Sequence, residues 1–136
     1  MSKLPRRMDF KLELIPIPVA DVERAKSFYE DKAGFNLDND VTVKEGLRFI
    51  QLTPPGSGCS ISIGEGLTEM APGSLEGLQL VVADIDAARA ELLERGVEVG
   101  EVQDFPWGRF VFFSDPDGNG WAVQQIPDYG EGRTEP

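Results

Sequence analysis

The sequence contains no histidine and one cysteine, Cys59. Histidine is the commonest zinc ligand and the usual general base near neutral pH. Its absence excludes a Ser-His-Asp or Cys-His nucleophile and every zinc site that contains histidine. A single cysteine allows neither an intrachain disulfide nor a thiolate-only metal site, which fits a reducing compartment. We therefore expect a cytoplasmic protein with other chemistry at its site.

Long apolar runs are also missing. No stretch approaches the roughly 20 apolar residues that a membrane span requires, and no apolar signal-peptide core follows the basic first residues. The formal net charge of −11 repels phosphate backbones. Neither a membrane nor a nucleic acid is therefore expected as a partner. A hydrophobic content of 40% still predicts a packed core.

What the sequence does contain is an internal repeat. Val19-Ala20-Asp21-Val22-Glu23 recurs as Val82-Ala83-Asp84-Ile85-Asp86, an offset of 63 positions (82 − 19). Arg48-Phe49-Ile50 recurs as Arg109-Phe110-Val111, an offset of 61 (109 − 48). A repeat of this length indicates one supersecondary unit used twice.

Each half is predicted to fold as β-α-β-β-β. Asp21 and Asp84 are typical helix N-caps after an apolar strand. Turn-forming residues separate the remaining strands. In the first half we expect strands at 10–19, 35–37, 41–43, 47–53 and 59–63. In the second half we expect them at 78–82, 97–99, 109–114 and 121–126, with a loop at 105–108.

The same pattern divides the chain into segments. We expect a flexible N-terminal arm, two β-α-β-β-β modules joined by a connector that contains Gly and Pro, and a polar tail. The boundaries are 1–9 for the arm, 10–65 for the first module, 66–76 for the connector, 77–127 for the second module and 128–136 for the tail.

Two motifs resemble one protein superfamily. Phe113-Ser114-Asp115-Pro116-Asp117-Gly118-Asn119-Gly120 closely resembles the turn before the last strand in the vicinal oxygen chelate superfamily. Phe28-Tyr29, followed by Gly34-Phe35, resembles that family's first helix and its exit. Members include glyoxalase I, extradiol dioxygenases and bleomycin-resistance proteins. The resemblance covers roughly 10–126 and implies an α+β fold, in which two βαβββ modules curl their mixed sheets into a cleft.

Metal-using members of that family place one ligand on the first strand and one on the last strand of each module. Carried over to this sequence, the first-strand positions are Leu14 and Gly77, and the last-strand positions are Ser60 and Ala122. None of the four is a normal metal ligand. The resemblance therefore implies a cleft without a metal or other cofactor.

A different strand register stays possible. Glu13 and Glu76 precede Leu14 and Gly77, and a slip of one residue would turn both carboxylates into the cleft. That slip would also move Ile15 and its apolar neighbours away from the helix. We prefer the register without the carboxylates.

Alternation along the strands then predicts the other cleft residues. Together they describe an apolar pocket with a few amides and hydroxyls, as small-molecule sites often have, and a loop tryptophan that could stack on a ligand. The predicted ligand-binding residues are Leu14, Phe49, Gln51, Ser60, Ser62, Gly77, Gln79, Trp107, Phe110, Phe112, Ala122 and Gln124; no catalytic residue is assigned.

These observations leave three functions open. The first is a binding protein that holds a small cationic or aromatic molecule, similar to the bleomycin-resistance branch of the family. The second is a lyase, isomerase or dioxygenase with a non-standard or metal-free site. The third is an interaction module with a vestigial cleft. The resemblance also implies a homodimer, and it leaves open whether the modules pair within one chain or between two.

Overall fold

A computed structural model describes residues 7–127 of the chain. The predicted polar tail at 128–136 and the first six residues of the predicted arm lie outside the described residues. The order of elements is β1 (Leu14–Pro16), α1 (Val22–Ser27), β2 (Asn36–Lys44), β3 (Leu47–Thr53), β4 (Ser60–Glu65), β5 (Leu78–Val82), α2 (Ile85–Glu94), β6 (Gln103–Phe105), β7 (Gly108–Ser114) and β8 (Gly120–Gln125). The β-α-β-β-β order predicted for both halves is confirmed.

Each module forms its own four-stranded mixed sheet. The strand orders are β1-β4-β3-β2 and β5-β8-β7-β6. In each sheet the first strand runs parallel to the last, and the other pairs are antiparallel. In each module the helix carries the chain from the first strand to the far edge of the sheet. The antiparallel strands that follow then bring the last strand back beside the first, in parallel. The two sheets therefore have the same internal topology, as the repeat indicates.

Both helices begin at the predicted caps. The Asp21 carboxylate accepts a hydrogen bond from Arg24 N at 3.1 Å, and the Asp84 carboxylate accepts one from Ala87 N at 3.1 Å. After α1 the chain continues as a π-helical turn over Phe28–Lys32. This rare geometry directs the two adjacent aromatic side chains, Phe28 and Tyr29, into the interior.

The two modules share one hydrophobic core. The helical segment of the first module packs on β7 and β8 of the second. The Phe28 ring lies 6.2 Å from the Phe113 ring, and the Tyr29 and Phe35 rings lie 5.8 and 5.7 Å from the Trp121 ring. Aromatic pairs at these spacings add to the stabilisation from burial.

A buried hydrogen-bond network joins the modules at the same place. The Tyr29 hydroxyl donates to the Asp115 carboxylate at 2.7 Å and accepts from Trp121 Nε1 at 2.9 Å. Burial raises the pKa of Tyr29, so the phenol keeps its proton and acts as this donor. Asn119 Nδ2 donates to the backbone oxygen of Pro18 at 2.8 Å, and its Oδ1 accepts from Leu75 N at 3.0 Å.

Three local predictions were wrong. The first strand is confined to Leu14–Pro16: Pro18 has no N–H group to extend the ladder beyond it, and residues 10–13 form no strand. The break expected between the strands at 35–37 and 41–43 does not occur: residues 38–40 lie within β2, where a register shift between Leu37 and Asn39 absorbs the extra residue. These polar residues tolerate a strand because β2 is an exposed sheet edge.

The third difference concerns the second strand of the second module. Residues 97–99 are not a strand, although Val97 and Val99 are buried in the core and so produce the expected alternation. The strand lies instead at Gln103–Phe105 and pairs with β7, with Phe105 opposite Gly108. A tight turn at Pro106 and Trp107 closes this hairpin.

Candidate functional site

One face of the first sheet carries five of the predicted site residues. Leu14 lies opposite Ser60 on the neighbouring strand, and Gln51 lies opposite Ser62. Phe49 lies two positions before Gln51 on the same strand and shares its face. Ile15 and Ile17 point to the other side, into the core, while Glu13 and Glu76 are exposed. This is the preferred register, not the slipped one.

A chain of hydrogen bonds runs across this face. Gln51 Nε2 donates to Ser60 Oγ at 3.2 Å, and Ser60 Oγ lies 2.6 Å from Thr53 Oγ1. The Thr53 hydroxyl donates to the Asp38 carboxylate. Since each hydroxyl has one hydrogen to donate, Ser60 must donate to Thr53. The two hydroxyl groups and the Gln51 amide therefore have fixed directions on this face.

The outer face of the second sheet carries another five predicted residues. Gln79 and Phe112 both lie opposite Ala122, and Phe110 lies opposite Gln124. Gln79 Nε2 donates to Gln124 Oε1, and Gln124 Nε2 donates to the backbone oxygen of Trp107 at 2.8 Å. Both ends of the Gln124 amide are therefore engaged, one with β5 and one with the turn after β6.

Four aromatic rings lie in a row on this face, and we name them the aromatic ladder: Trp107, Phe105, Phe110 and Phe112. The Trp107 and Phe105 rings are stacked, with centroids 5.3 Å apart and planes at 13°. Phe105 meets Phe110 edge-on at 5.6 Å, and Phe110 stacks with Phe112 at 5.8 Å and 5°. The exposed fractions are 58% for Trp107, 37% for Phe105 and 42% for Phe112, whereas Phe110 is 5% exposed.

A glycine allows the amide to approach this turn. Gly108 has φ +151°, and a Cβ atom there would lie 2.8 Å from Gln124 Nε2 and 2.8 Å from the backbone oxygen of Gln125. Any side chain at position 108 would therefore displace the Gln124 amide. Loss of that amide would release the backbone that carries Trp107.

Two cavities border these faces, and neither contains all of the predicted residues. A cavity of about 370 Å³ between the edges of the two sheets is lined by Ser60, Gly77 and Gln79, among others. A cavity of about 930 Å³ includes Gly77, Phe112 and Ala122 in its lining. Only five of the twelve predicted residues line these two cavities, and Gly77 lines both.

The four positions that hold metal in metal-using relatives do not fit a metal ion here. Leu14, Gly77 and Ala122 have no donor atom in their side chains, and the Ser60 hydroxyl is already bonded to Gln51 and Thr53. Within residues 7–127, no three Asp, Glu, Cys or His side chains lie close enough together to hold a metal ion.

Sequence reasoning missed three residues on these faces. Thr53 and Val81 follow Gln51 and Gln79 at a spacing of two, so strict alternation would have included them. Phe105 was assigned to a loop, because the tight turn at Pro106 and Trp107 obscured the short strand before it. In the structure Phe105 connects the two halves of the aromatic ladder.

Comparison with known proteins agrees with this architecture. Residues 11–123 match the sequence profile of the Glyoxalase/Bleomycin resistance protein/Dioxygenase superfamily. The chain therefore belongs to this superfamily.

Solved structures of similar proteins give the same fold. TnmS3, an antibiotic binding protein from Streptomyces sp. CB03234, is 39% identical with a TM-score of 0.80, over 90% of this chain and 100% of that one. A glyoxalase/bleomycin resistance protein from the same organism is 42% identical with a TM-score of 0.74, over 85% of this chain and 100% of that one. Among curated proteins, the uncharacterized protein YetH of Bacillus subtilis (strain 168) is 28% identical over 82% of this chain and 94% of its own length.

The helices of the described region are short. Between residues 7 and 127, none is long and apolar enough to cross a membrane.

Proposed function

We propose that this protein binds a small antibiotic-like molecule and holds it without transforming it. The observation that carries this proposal is the outer face of the second sheet. It leaves three large aromatic side chains half-exposed beside a fixed pair of amides. An exposed apolar patch rimmed by polar groups is typical of a binding surface. The antibiotic binding protein TnmS3, which shares this fold, supports the same interpretation.

The first sheet contributes the polar part of the proposed site. The amide of Gln51 can exchange hydrogen bonds with a ligand at little cost in conformational entropy, because its bond to the buried Ser60 hydroxyl already fixes its position. The sequence has no histidine to act as a base near neutral pH, and the Thr53 hydroxyl on the first face is paired with the exposed Asp38 carboxylate. The arrangement therefore favours binding over chemistry, and the cytoplasm is the compartment we expect for it.

A screen of antibiotics and aromatic metabolites against the purified chain tests this proposal. A ligand present at 100 times its Kd would add about 2.7 kcal/mol to the free energy of unfolding, which raises the Tm by on the order of 10 °C. Product analysis of the same mixtures by mass spectrometry should show the ligand unchanged. A turnover product would instead support the lyase, isomerase or dioxygenase alternative.

A matched pair of variants shows where binding occurs. Phe112→Gln removes a half-exposed ring from the second sheet, and Leu93→Gln removes a half-exposed side chain from α2. We expect calorimetry to show weaker binding for the Phe112 variant alone. Equal affinities in the two variants and the unaltered chain would exclude this face as the site.

We further propose that the protein is a homodimer. Residues 7–13 extend beyond β1, and their apolar side chains Met8, Phe10 and Leu12 are 73%, 90% and 69% exposed. Their spacing of two places all three on one side of an extended segment. A second copy of this chain is the occupant we expect, because an apolar strip of this kind is rarely left in water.

Sedimentation of the chain at several concentrations tests the dimer. We expect the double variant Phe10→Ser, Leu12→Ser to sediment as a monomer at concentrations where the unaltered chain is a dimer. Met70→Ser, which removes an exposed apolar side chain from the connector, should leave the dimer intact. An unaltered chain that sediments as a monomer at every concentration would refute the proposal.

A further inference from the structure

The aromatic ladder has a geometry that selects one class of ligand. Its two stacked pairs have interplanar angles of 13° and 5°, and the ring of Phe105 joins them edge-on. Flat apolar ring faces are therefore presented at both ends of the row, by Trp107 and by Phe112. A flat ring system can lie against such faces over its whole area, whereas a bulky or twisted molecule contacts only their edges.

The ladder is held in place before any ligand arrives. Phe110, one of the two inner rings, is buried, so it holds Phe105 on one side and Phe112 on the other. The backbone of Trp107 is fixed by the amide of Gln124, which is in turn fixed by Gln79. Rigid aromatic groups lose little conformational entropy when a ligand stacks on them, so the affinity gained per ring is high.

Charge favours one sign of ligand. The ladder itself contains no charged side chain, and the chain as a whole carries a formal net charge of −11. A surplus of carboxylates creates a negative potential that attracts cations and repels anions. The negative π-faces of the exposed rings act in the same direction, because a cation over an aromatic face is stabilised.

From these observations we propose that the aromatic ladder is a stacking site for planar, fused-ring aromatic cations. This inference rests on the proposed small-molecule binding function and narrows it to one ligand class. A ring system stacks on Trp107 at one end of the row or on Phe112 at the other, and at the Phe112 end Gln79, which also lies opposite Ala122, offers an amide to a polar group on the ring system.

The experiment uses three fixed probes with the full-length chain. 9-Aminoacridine is a planar cation, acridine-9-carboxylate is a planar anion, and tetraphenylphosphonium is an aromatic cation that is not planar. Equilibrium dialysis gives the affinity of each. We expect 9-aminoacridine to bind at least ten times more tightly than either of the other two.

Variants then locate the bound probe. Trp107→Ala and Phe112→Ala should each remove one of the two stacking positions: 9-aminoacridine binding at the altered end should weaken by about 5- to 100-fold, the range seen when a stacking ring is truncated, while the other end still binds the probe. Trp107→Phe retains a flat ring and should stay within about threefold of the unaltered chain. Leu93→Ala on α2 should change nothing. Circular dichroism and thermal melts of each variant confirm that it is folded.

The outcomes separate this inference from the function on which it rests. If screened ligands bind but 9-aminoacridine does not, the planar-cation inference is wrong and the binding function stands. If nothing binds, both are wrong. Equal binding of tetraphenylphosphonium would overturn the requirement for planarity, and binding that is unaffected by both alanine variants would overturn the location. If Phe112→Ala instead dissociates a dimer and no probe binds, the ladder is a subunit interface.

Discussion

The hydroxyl of Tyr29 donates to the carboxylate of Asp115 across 2.7 Å, although the two residues are 86 positions apart in the chain. The bond crosses the boundary between modules, and the same hydroxyl accepts from Trp121 Nε1. One side chain of the first module thus satisfies two buried polar groups of the second. The stability of the chain should depend strongly on it.

Tyr29→Phe should therefore lower the free energy of unfolding by about 2–4 kcal/mol, because it removes a partner from both Asp115 and Trp121 in the interior. Urea unfolding at pH 7 measures the change. A double-mutant cycle with Trp121→Phe should show coupling between the two substitutions, since they remove parts of one network. Strictly additive effects would show that the network contributes little beyond its separate contacts.

Substitution of a glycine in the connector should lower the free energy of unfolding by a similar amount. Gly73 has φ +79°, and a Cβ atom there would lie 2.0 Å from the backbone oxygen of Asp117. Gly73→Ala must move the connector away from the β7–β8 turn, and we expect a loss of at least about 2–3 kcal/mol. Gly46→Ala is the control, because its φ is +82° but nothing lies within 4 Å of the added atom. It should cost about 1–2 kcal/mol from backbone strain alone. Equal losses of unfolding free energy in the two variants would show that the close approach of Gly73 to Asp117 adds nothing to the cost of backbone strain.

An arginine clamp occurs in both modules at equivalent positions. Arg48 donates to Asp40 through two nitrogens and to Glu23 through a third, and Arg109 donates to Asp104 and Asp86. The Arg48 side chain is 18% exposed and that of Arg109 is 40% exposed. Because solvent screens exposed ion pairs, Arg48→Gln should cost about 1–2 kcal/mol and Arg109→Gln less than about 1 kcal/mol. Paired denaturant titrations decide this, and the reverse order would contradict it.

The first clamp should also make stability depend on pH. The Arg48 guanidinium, helped by Lys26, holds the pKa of the Asp40 carboxyl well below its usual range. A carboxyl with a lowered folded-state pKa stabilises the fold above its unfolded pKa of about 3.9, and this stabilisation disappears as the pH falls through the folded-state value. We therefore expect Asp40→Asn to be less stable than the unaltered chain at pH 7 and at pH 5.

The difference between the two proteins should shrink below about pH 4. Asp9→Asn, which removes one carboxylate from the exposed arm, controls for the change in net charge. Urea unfolding at pH 7, 5 and 3 provides the measurement. A stability gap that is the same at pH 3 as at pH 7 would show that the ionised form of Asp40 is not the stabilising species.

Much of this structure could be predicted from local patterns. The repeat predicted two β-α-β-β-β units, and Asp21 and Asp84 are the helix caps that their positions indicated. The family resemblance placed Leu14 and Ser60 at matching strand positions, and alternation along the strand added Ser62 to the same face. The caps and the alternation depend only on residues close together in the chain, whereas the pairing of Leu14 with Ser60 came from the resemblance.

Features that depend on distant residues were not predictable in this way. The contact of Tyr29 with Asp115 leaves no mark in either local sequence, since each residue also fits an isolated module. The aromatic ladder depends on Phe105 lying on a strand, and a three-residue strand is too short to show an alternating pattern in the sequence. The division of the predicted site between the faces of two sheets depends on how the sheets are oriented, which no single strand determines.

Within residues 7–127, the contact between the modules is made by only one of the two equivalent turns of the repeat. The turn at Asp115–Asn119 of the second copy holds Tyr29 and Pro18 of the first, and the corresponding turn of the first copy, at 53–57, has no acid to do the same. The two copies therefore differ where they meet: the second supplies the turn, and the first supplies the residues that this turn binds. Each half therefore holds buried polar groups whose partners lie in the other half, and separating the halves would leave those groups unpaired.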